Sequence, residues 1–168
     1  VIFPQCADED YWDNLDESSF SDDPNSLLKF NDISKNNPST ELLNLLIDSL
    51  LTQPNIDIKR VYVAGLSMGG SGAAQLLAKR PETFAAATVI CGAAPLDYAE
   101  QLTAIPTQIF HGKKDRVVFP INSISYFNAI KDQDSTHRLI LYDEANHESW
   151  NNAFAEPDFL SWIFEHKR

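Results

Sequence analysis

The segment Gly65-Leu66-Ser67-Met68-Gly69-Gly70 predicts how the rest of the chain is arranged. It follows an apolar, β-branched run at residues 61–64 and precedes a helix-forming run at residues 73–80. The Gly-x-Ser-x-Gly pattern therefore lies in a turn between a strand and a helix, where the serine backbone is strained and neighbouring chain comes close. We expect that only residues without a Cβ fit at Gly65 and Gly69. The segment predicts a nucleophilic Ser67; the alternative is a glycine-rich turn that carries an ordinary serine.

Length and composition predict one globular domain over residues 1–168. The chain has 168 residues, of which 43% are hydrophobic and 22% charged, enough for a sizeable core. Its formal net charge of −11 disfavours binding to nucleic acid or to an anionic membrane surface, because both would repel it. The sequence contains neither an apolar run long enough to span a bilayer nor a signal-peptide pattern.

Much of the negative charge lies in one early segment. Its acidic residues are Asp8, Glu9, Asp10, Asp13, Asp16, Glu17, Asp22 and Asp23. Together with the asparagines and serines around them, they predict a solvated loop. The aromatic residues of this loop, Tyr11, Trp12 and Phe20, either anchor it to the body of the protein or line a cleft.

Strands and helices alternate along the chain. The predicted strands are residues 1–4, 61–64, 84–91, 107–111 and 137–142. The predicted helices are residues 39–51, with Ser39 or Thr40 as N-cap, residues 73–80, residues 123–130 and a closing helix opened by Pro157. This order predicts an α/β fold with a mostly parallel sheet flanked by helices. In such sheets functional groups gather at the carboxyl ends of the strands, and Ser67, Asp115 and His147 each follow a predicted strand.

A nucleophilic serine needs a base to take its proton and an acid to orient that base. His147 follows the last predicted strand and is the candidate base, and the chain order Ser67, Asp115, His147 is the one that a strand-turn-helix nucleophile requires. The other histidines have structural interpretations: His111 as a buried, hydrogen-bonded residue, His137 and His166 as solvated positions.

The acid is less well determined by the sequence. Asp115 lies on the loop after the penultimate strand, but it could also be a turn or capping residue. Asp143 and Glu144 are nearer to His147 in the chain and are the fallback candidates.

The cysteines predict neither a disulfide framework nor a metal site. Cys6 and Cys91 are the only two, and they lack metal-ligand spacing. Each lies at the end of a predicted apolar strand, so a free buried thiol is expected, and a disulfide requires that the strand ends approach each other. We predict no metal and no cofactor.

An ordered set of motifs resembles a known family. The set comprises Pro4-Gln5-Cys6, residues 57–60 before the strand, the segment 65–70, Pro81-Glu82 with Phe84, Ile90-Cys91-Gly92, His111-Gly112 with Asp115 and Val118, His147 with Trp150, and a closing helix with Trp162. It resembles the serine esterases of the α/β-hydrolase superfamily, and within them the predicted-peptidase or phospholipase/carboxylesterase-like group related to feruloyl and acetylxylan esterases.

This resemblance implies a role for each site residue. Ser67 would be the nucleophile, Asp115 the acid and His147 the base, and the backbone N–H of Met68 would be one oxyanion donor. We expect Trp12 and Trp150 to contact the substrate.

The chain departs from this family at its front. Family members have strands and an oxyanion loop ahead of the strand matched by Val1 to Pro4, and this sequence begins at Val1. We therefore expect either the carboxyl-side part of a longer hydrolase, which would be a poor esterase in isolation, or a homo-oligomer in which another copy covers the open sheet edge. In a third variant residues 1–4 pair beside the strand before Ser67, and the N–H of Gln5 or Cys6 is the second oxyanion donor.

The sequence thus predicts a cofactor-independent serine carboxylesterase that hydrolyses short-chain or aryl carboxylic esters, as small-molecule substrates, through a Ser-His-Asp triad and an acyl-enzyme. Two alternatives remain open: a serine peptidase of the same fold, and a non-catalytic remnant that acts as a binding or self-associating module.

Overall fold

A parallel sheet forms the centre of the protein. The computed structural model describes residues 1–131 and 136–168. Within them lies a four-stranded sheet, in the order β1-β2-β3-β4 with every neighbouring pair parallel. Its strands are β1 (Tyr62–Leu66), β2 (Ala86–Ile90), β3 (Thr107–Gly112) and β4 (Arg138–Tyr142). The predicted α/β architecture, of the α/β-hydrolase type, is confirmed.

Helices cover both faces of this sheet. They are α1 (Pro38–Leu51), α2 (Met68–Lys79), α3 (Ala99–Thr103), α4 (Ile121–Ile130), α5 (Trp150–Phe154) and α6 (Phe159–Glu165). Successive side chains of a strand point to opposite faces, so Ile109 packs with residues of α2, α3 and α4, whereas Phe110 packs with α5 and α6. None of the described helices is long and apolar enough to cross a membrane.

Helix α1 begins earlier than predicted. Its N-cap is Asn37, and neither Ser39 nor Thr40 has that role. The Asn37 side chain accepts a hydrogen bond from the Thr40 N–H, and the Thr40 hydroxyl accepts one from the Asn37 N–H. Pro38 fits the first helical position because its missing N–H needs no partner there.

The apolar residues of α1 divide between two environments. Leu43 and Ile47 pack against the core, whereas Leu42 and Leu45 are exposed. Only part of the apolar surface of α1 therefore contributes to the core.

Residues 1–4 do not form the predicted buried strand. Val1, Ile2 and Phe3 are exposed, and no described strand pairs with this segment. An apolar run is buried only where a sheet or helix covers it, and Pro4 has no N–H to donate to a sheet. The variant in which residues 1–4 pair beside β1 is therefore wrong. Within the described residues β1 is an edge strand, and self-association through that edge stays a prediction.

The predicted solvation of two histidines is also wrong. His137 is half-buried: its Nδ1 accepts a hydrogen bond from the Thr107 N–H, and its Nε2 lies 3.1 Å from the Thr103 carbonyl oxygen. It joins the end of α3 to the start of β3. His166 is half-buried as well, and its ring stacks edge-on against Trp162, with 4.5 Å between the centroids.

Candidate active site

Ser67 lies at a strained turn between β1 and α2. Its backbone has φ 52° and ψ −121°, a region that residues with a side chain rarely adopt. The turn is so tight that a Cβ added at Gly65 would lie 1.9 Å from the Gly69 carbonyl oxygen. At Gly69, by contrast, an added Cβ would meet nothing within 4 Å. The expectation that only a residue without a Cβ fits is therefore confirmed at Gly65. At Gly69 the same expectation is wrong.

A continuous hydrogen-bond chain begins at Ser67. The Ser67 Oγ lies 2.8 Å from the His147 Nε2, and the His147 Nδ1 lies 2.8 Å from the Asp115 Oδ2. The three side chains come from the loops after β1, β3 and β4, which open at the same edge of the sheet because the strands are parallel. The structure therefore brings together the three residues that the sequence predicted as nucleophile, acid and base.

The Asp115 carboxylate is buried and fully hydrogen-bonded. Its Oδ1 accepts from the N–H groups of Val117 and Val118, and its Oδ2 accepts from His147 and His111. Burial alone would raise the pKa of Asp115, but these hydrogen bonds hold it well below the usual range. The carboxylate is therefore ionised at neutral pH and can orient the His147 ring with Nδ1 as a donor.

His111 is buried, as predicted, and holds Asp115 in place. Its Nε2 lies 3.1 Å from the Asp115 Oδ2 and 2.8 Å from the Val118 carbonyl oxygen, and its Nδ1 lies 2.7 Å from the Ser123 Oγ. Both neighbours of the His111 Nε2 are hydrogen-bond acceptors, so we assign the ring proton to Nε2. The His111 Nδ1 then accepts a hydrogen bond from the Ser123 hydroxyl.

The fallback acids lie in ion pairs on the surface. Asp143 pairs with the Lys113 Nζ at 2.7 Å, and Glu144 pairs with Lys114. Neither contacts His147, because the loop after β4 turns these two side chains towards the loop after β3.

A cleft opens beside Ser67. We call it the Ser67 cleft; it has a volume of about 500 Å³ and, among others, the lining residues Tyr11, Asp13, Glu17, Phe20, Met68 and Val117. The early acidic segment therefore contributes one wall. Its predicted solvation is wrong for Asp13, which is only 5% exposed.

The two tryptophans expected to contact substrate lie elsewhere. The Trp12 Cβ and carbonyl lie against Gly72 of α2, at 2.6 and 2.7 Å from the position of a Cβ added there, so Trp12 anchors the segment that carries Tyr11 and Asp13. The Trp150 ring stands edge-on to the His147 ring, with 5.7 Å between the centroids. Neither lines the Ser67 cleft, and their contact with substrate stays a prediction.

A family comparison agrees with this geometry. The sequence profile of the dienelactone hydrolase family matches residues 11–158, most of the chain and all three residues of the hydrogen-bond chain. The chain belongs to the dienelactone hydrolase family. This family is part of the α/β-hydrolase superfamily, so the resemblance drawn from the motifs is confirmed.

Solved structures show the same fold. A thermostable esterase is 32% identical, with a TM-score of 0.72, over 76% of this chain and 36% of the esterase. Esterase PE8 is 23% identical (TM-score 0.59; 74% of this chain, 60% of that one). An acylaminoacyl peptidase of Pyrococcus horikoshii is 17% identical (TM-score 0.56; 64% and 23%). The last two likenesses concern the fold alone. This chain spans less than two thirds of the length of each of these three proteins. No curated protein matches it significantly.

The two predicted oxyanion donors, Met68 and Gln5, have different surroundings in this member of the dienelactone hydrolase family, and the role of Met68 in catalysis stays a prediction. The N–H groups of the first turn of a helix have no partner within the helix, and α2 begins at Met68, directly after Ser67. The Met68 N–H is therefore free of a helical acceptor. Gln5 is exposed, and its side chain donates to the Cys6 carbonyl oxygen. Its role as a second donor stays a prediction.

One group of described residues could hold a metal ion. Ligand atoms of Cys91, Asp115 and His147 all lie within 4.8 Å of one another. The sequence did not predict this group, because its members come from three separate segments. Burial raises the pKa of the Cys91 thiol to about 11, so it is protonated at neutral pH and a poor ligand in that form. Cys6 and Cys91 are both free and buried, as expected.

Proposed function

We propose that this chain carries the catalytic site of a serine carboxylesterase. The observation that carries the proposal is the hydrogen-bond chain from the Ser67 Oγ through His147 to Asp115, with 2.8 Å at each step. Membership of the dienelactone hydrolase family and the similarity to a thermostable esterase support the same reaction class.

The proposed mechanism begins with Ser67. As the Ser67 Oγ attacks the ester carbonyl carbon, its proton passes to the His147 Nε2. The ionised Asp115 stabilises the imidazolium through the His147 Nδ1–H. The carbonyl oxygen takes the negative charge of the tetrahedral intermediate and accepts a hydrogen bond from the Met68 N–H.

His147 returns the proton to the leaving alcohol, which departs as the acyl-serine ester forms. In the second half, His147 takes a proton from water, whose oxygen attacks the acyl carbon. Collapse of this second intermediate returns the proton to the Ser67 Oγ and releases the carboxylic acid. The reaction needs no metal, cofactor or redox partner.

Small esters suit the Ser67 cleft. A volume of about 500 Å³ is in the range of small-molecule sites, and it extends from Ser67 along Tyr11, Phe20 and Val117. These side chains offer mainly apolar surface to an acyl or alcohol group.

A paired assay tests the proposal. We expect the chain to hydrolyse p-nitrophenyl butyrate and not p-nitroanilide amides of the same acyl group, and the Ser67→Ala variant to be inactive. Faster turnover of the anilide would indicate a peptidase instead. No turnover of either substrate by the folded chain would indicate the non-catalytic alternative.

A further inference from the structure

The carboxylate of Asp13 is buried but only half satisfied. The residue is 5% exposed, and its Oδ1 accepts a hydrogen bond from the Leu15 N–H at 3.2 Å. The Oδ2 is buried and has no hydrogen-bond partner among the described residues. An unpaired buried carboxylate oxygen is unfavourable, so a residue of this kind indicates a partner that the chain itself does not supply.

Two contacts with α2 fix the backbone on either side of Asp13. On one side the Trp12 backbone packs against Gly72, where a larger residue would not fit. On the other side the Asn14 N–H donates to the Gln75 Oε1 at 2.8 Å, and the Gln75 Nε2 donates to the Asn14 Oδ1 at 3.3 Å. Gln75 is itself buried. Asp13 is therefore held in position before any ligand arrives, which lowers the cost of binding.

Asp13 lies in the wall of the Ser67 cleft. Another residue of that wall, Glu17, carries a second carboxylate, and the lining residues that the structure describes include no lysine, arginine or histidine. The fixed charge that the lining residues present to a ligand is thus negative. A substrate bearing a carboxylate would be repelled there, whereas a cation would be attracted.

We propose that Asp13 is a specificity-determining residue that binds a protonated amine of the substrate, so that the preferred substrates are carboxylic esters bearing an ammonium group. The inference rests on the proposed esterase function for its substrate class. An ammonium N–H donates to the unpaired Oδ2, while the Leu15 N–H keeps the Oδ1 in place. The amine belongs either to the acyl group or to the alcohol, and the two are separated below.

The ionisation of Asp13 agrees with this role. Burial raises the pKa of Asp13 to about 6, an effect that the hydrogen bond from Leu15 partly offsets. At neutral pH the carboxylate is therefore mostly ionised, and an adjacent ammonium group would favour the ionised form further.

Binding is measured first, with the Ser67→Ala variant, so that no turnover is required. The ligands are N-[2-(dimethylamino)ethyl]butanamide, which is protonated at pH 7, and its neutral isostere N-(3-methylbutyl)butanamide. By calorimetry we expect the cation to bind about tenfold more tightly, the effect of one hydrogen bond to a charged group. Adding Asp13→Asn should reduce this ratio to about one. Adding Asp22→Asn, which removes an exposed acid outside the cleft, should preserve it.

Kinetics with the otherwise unchanged chain then separate the two sources of the amine. The alcohol-side pair is 2-(dimethylamino)ethyl butyrate and 3-methylbutyl butyrate. The acyl-side pair is ethyl 4-(dimethylamino)butanoate and ethyl 5-methylhexanoate. In one of the two pairs we expect kcat/KM to be about tenfold higher for the amine-bearing ester than for its neutral isostere. Asp13→Asn should abolish that difference.

Each outcome is decisive. A cation preference that appears neither in binding nor in either ester pair, or one that survives Asp13→Asn, overturns the assignment. If the binding preference depends on Asp13 but no ester is hydrolysed, the proposed esterase function fails and the cation site stands.

Discussion

The Nδ1 of His147 lies 2.8 Å from the Oδ2 of Asp115, across 32 positions of the sequence. This contact fixes the tautomer of His147 in which Nε2 is free to accept the Ser67 proton. We expect Asp115→Asn to lower kcat for p-nitrophenyl butyrate by about 10⁴-fold, because an amide in this place favours the wrong tautomer.

Asp143→Asn is the matched control. It removes a carboxylate on the loop that carries His147, but one that is paired with Lys113 at the surface. We expect kcat within about twofold of the unchanged chain, since exposed ion pairs contribute little. A larger loss in Asp143→Asn than in Asp115→Asn would assign the acid to Asp143.

The turn at Ser67 gives a second matched pair. We expect Gly65→Ala to abolish activity and to destabilise the fold by several kcal/mol, because the new Cβ would lie 1.9 Å from the Gly69 carbonyl oxygen. Gly69→Ala should retain its fold, because the added Cβ meets open space and alanine favours a helix. Thermal unfolding of both variants measures the difference. Equal loss of stability in the two would contradict the packing described for the turn.

Asp13 should make stability depend on pH. Its pKa is raised to about 6 in the folded state, so the folded protein retains this proton over a range where the unfolded chain has lost it. The contribution of Asp13 to the free energy of unfolding is fully present at low pH, and it is lost as the pH rises from about 4 through about 6. Asp13→Asn should therefore raise the free energy of unfolding above that of the unchanged chain, and by a larger amount at pH 7 than at pH 4. The two increments should differ by up to about 3 kcal/mol.

Denaturant unfolding at the two pH values measures this difference. Asp22→Asn, at an exposed position, is the control and should show no such change. A pH-independent effect of Asp13→Asn would mean that Asp13 titrates at its ordinary pKa.

The cysteines should be protected in the folded protein. Cys91 is fully buried, and its thiol pKa of about 11 leaves almost no thiolate at neutral pH; Cys6 is buried too. We expect iodoacetamide to alkylate neither residue at pH 7.5 within the time in which it alkylates both in denaturant. Mass spectrometry counts the labels, and rapid native labelling of Cys91 would contradict its burial beside the site.

The sequence predicted the part of the fold that depends on order along the chain. Alternating strands and helices gave the parallel sheet, and parallel strands bring the loops with Ser67, Asp115 and His147 to one edge. The same local patterns missed α3 and α5, whose five residues each are too short to show helical periodicity.

Other features depend on contacts between distant segments. The burial of Asp13 follows from the contacts of its neighbours with α2, which no local pattern contains. Residues 1–4 have the composition of a buried strand, but burial requires a covering partner. In both cases tertiary contacts, rather than composition, decide the environment.

The central claim is that Ser67 is the nucleophile, and covalent trapping tests it most directly. After incubation with an alkyl fluorophosphonate, the intact mass and peptide mapping should show one phosphonyl group per chain, attached to Ser67. His147→Ala should slow this labelling by about 10⁴- to 10⁶-fold, because the serine then lacks its base, and Ser67→Ala should abolish it. Labelling at another residue, or ester hydrolysis that continues in Ser67→Ala, would contradict the account.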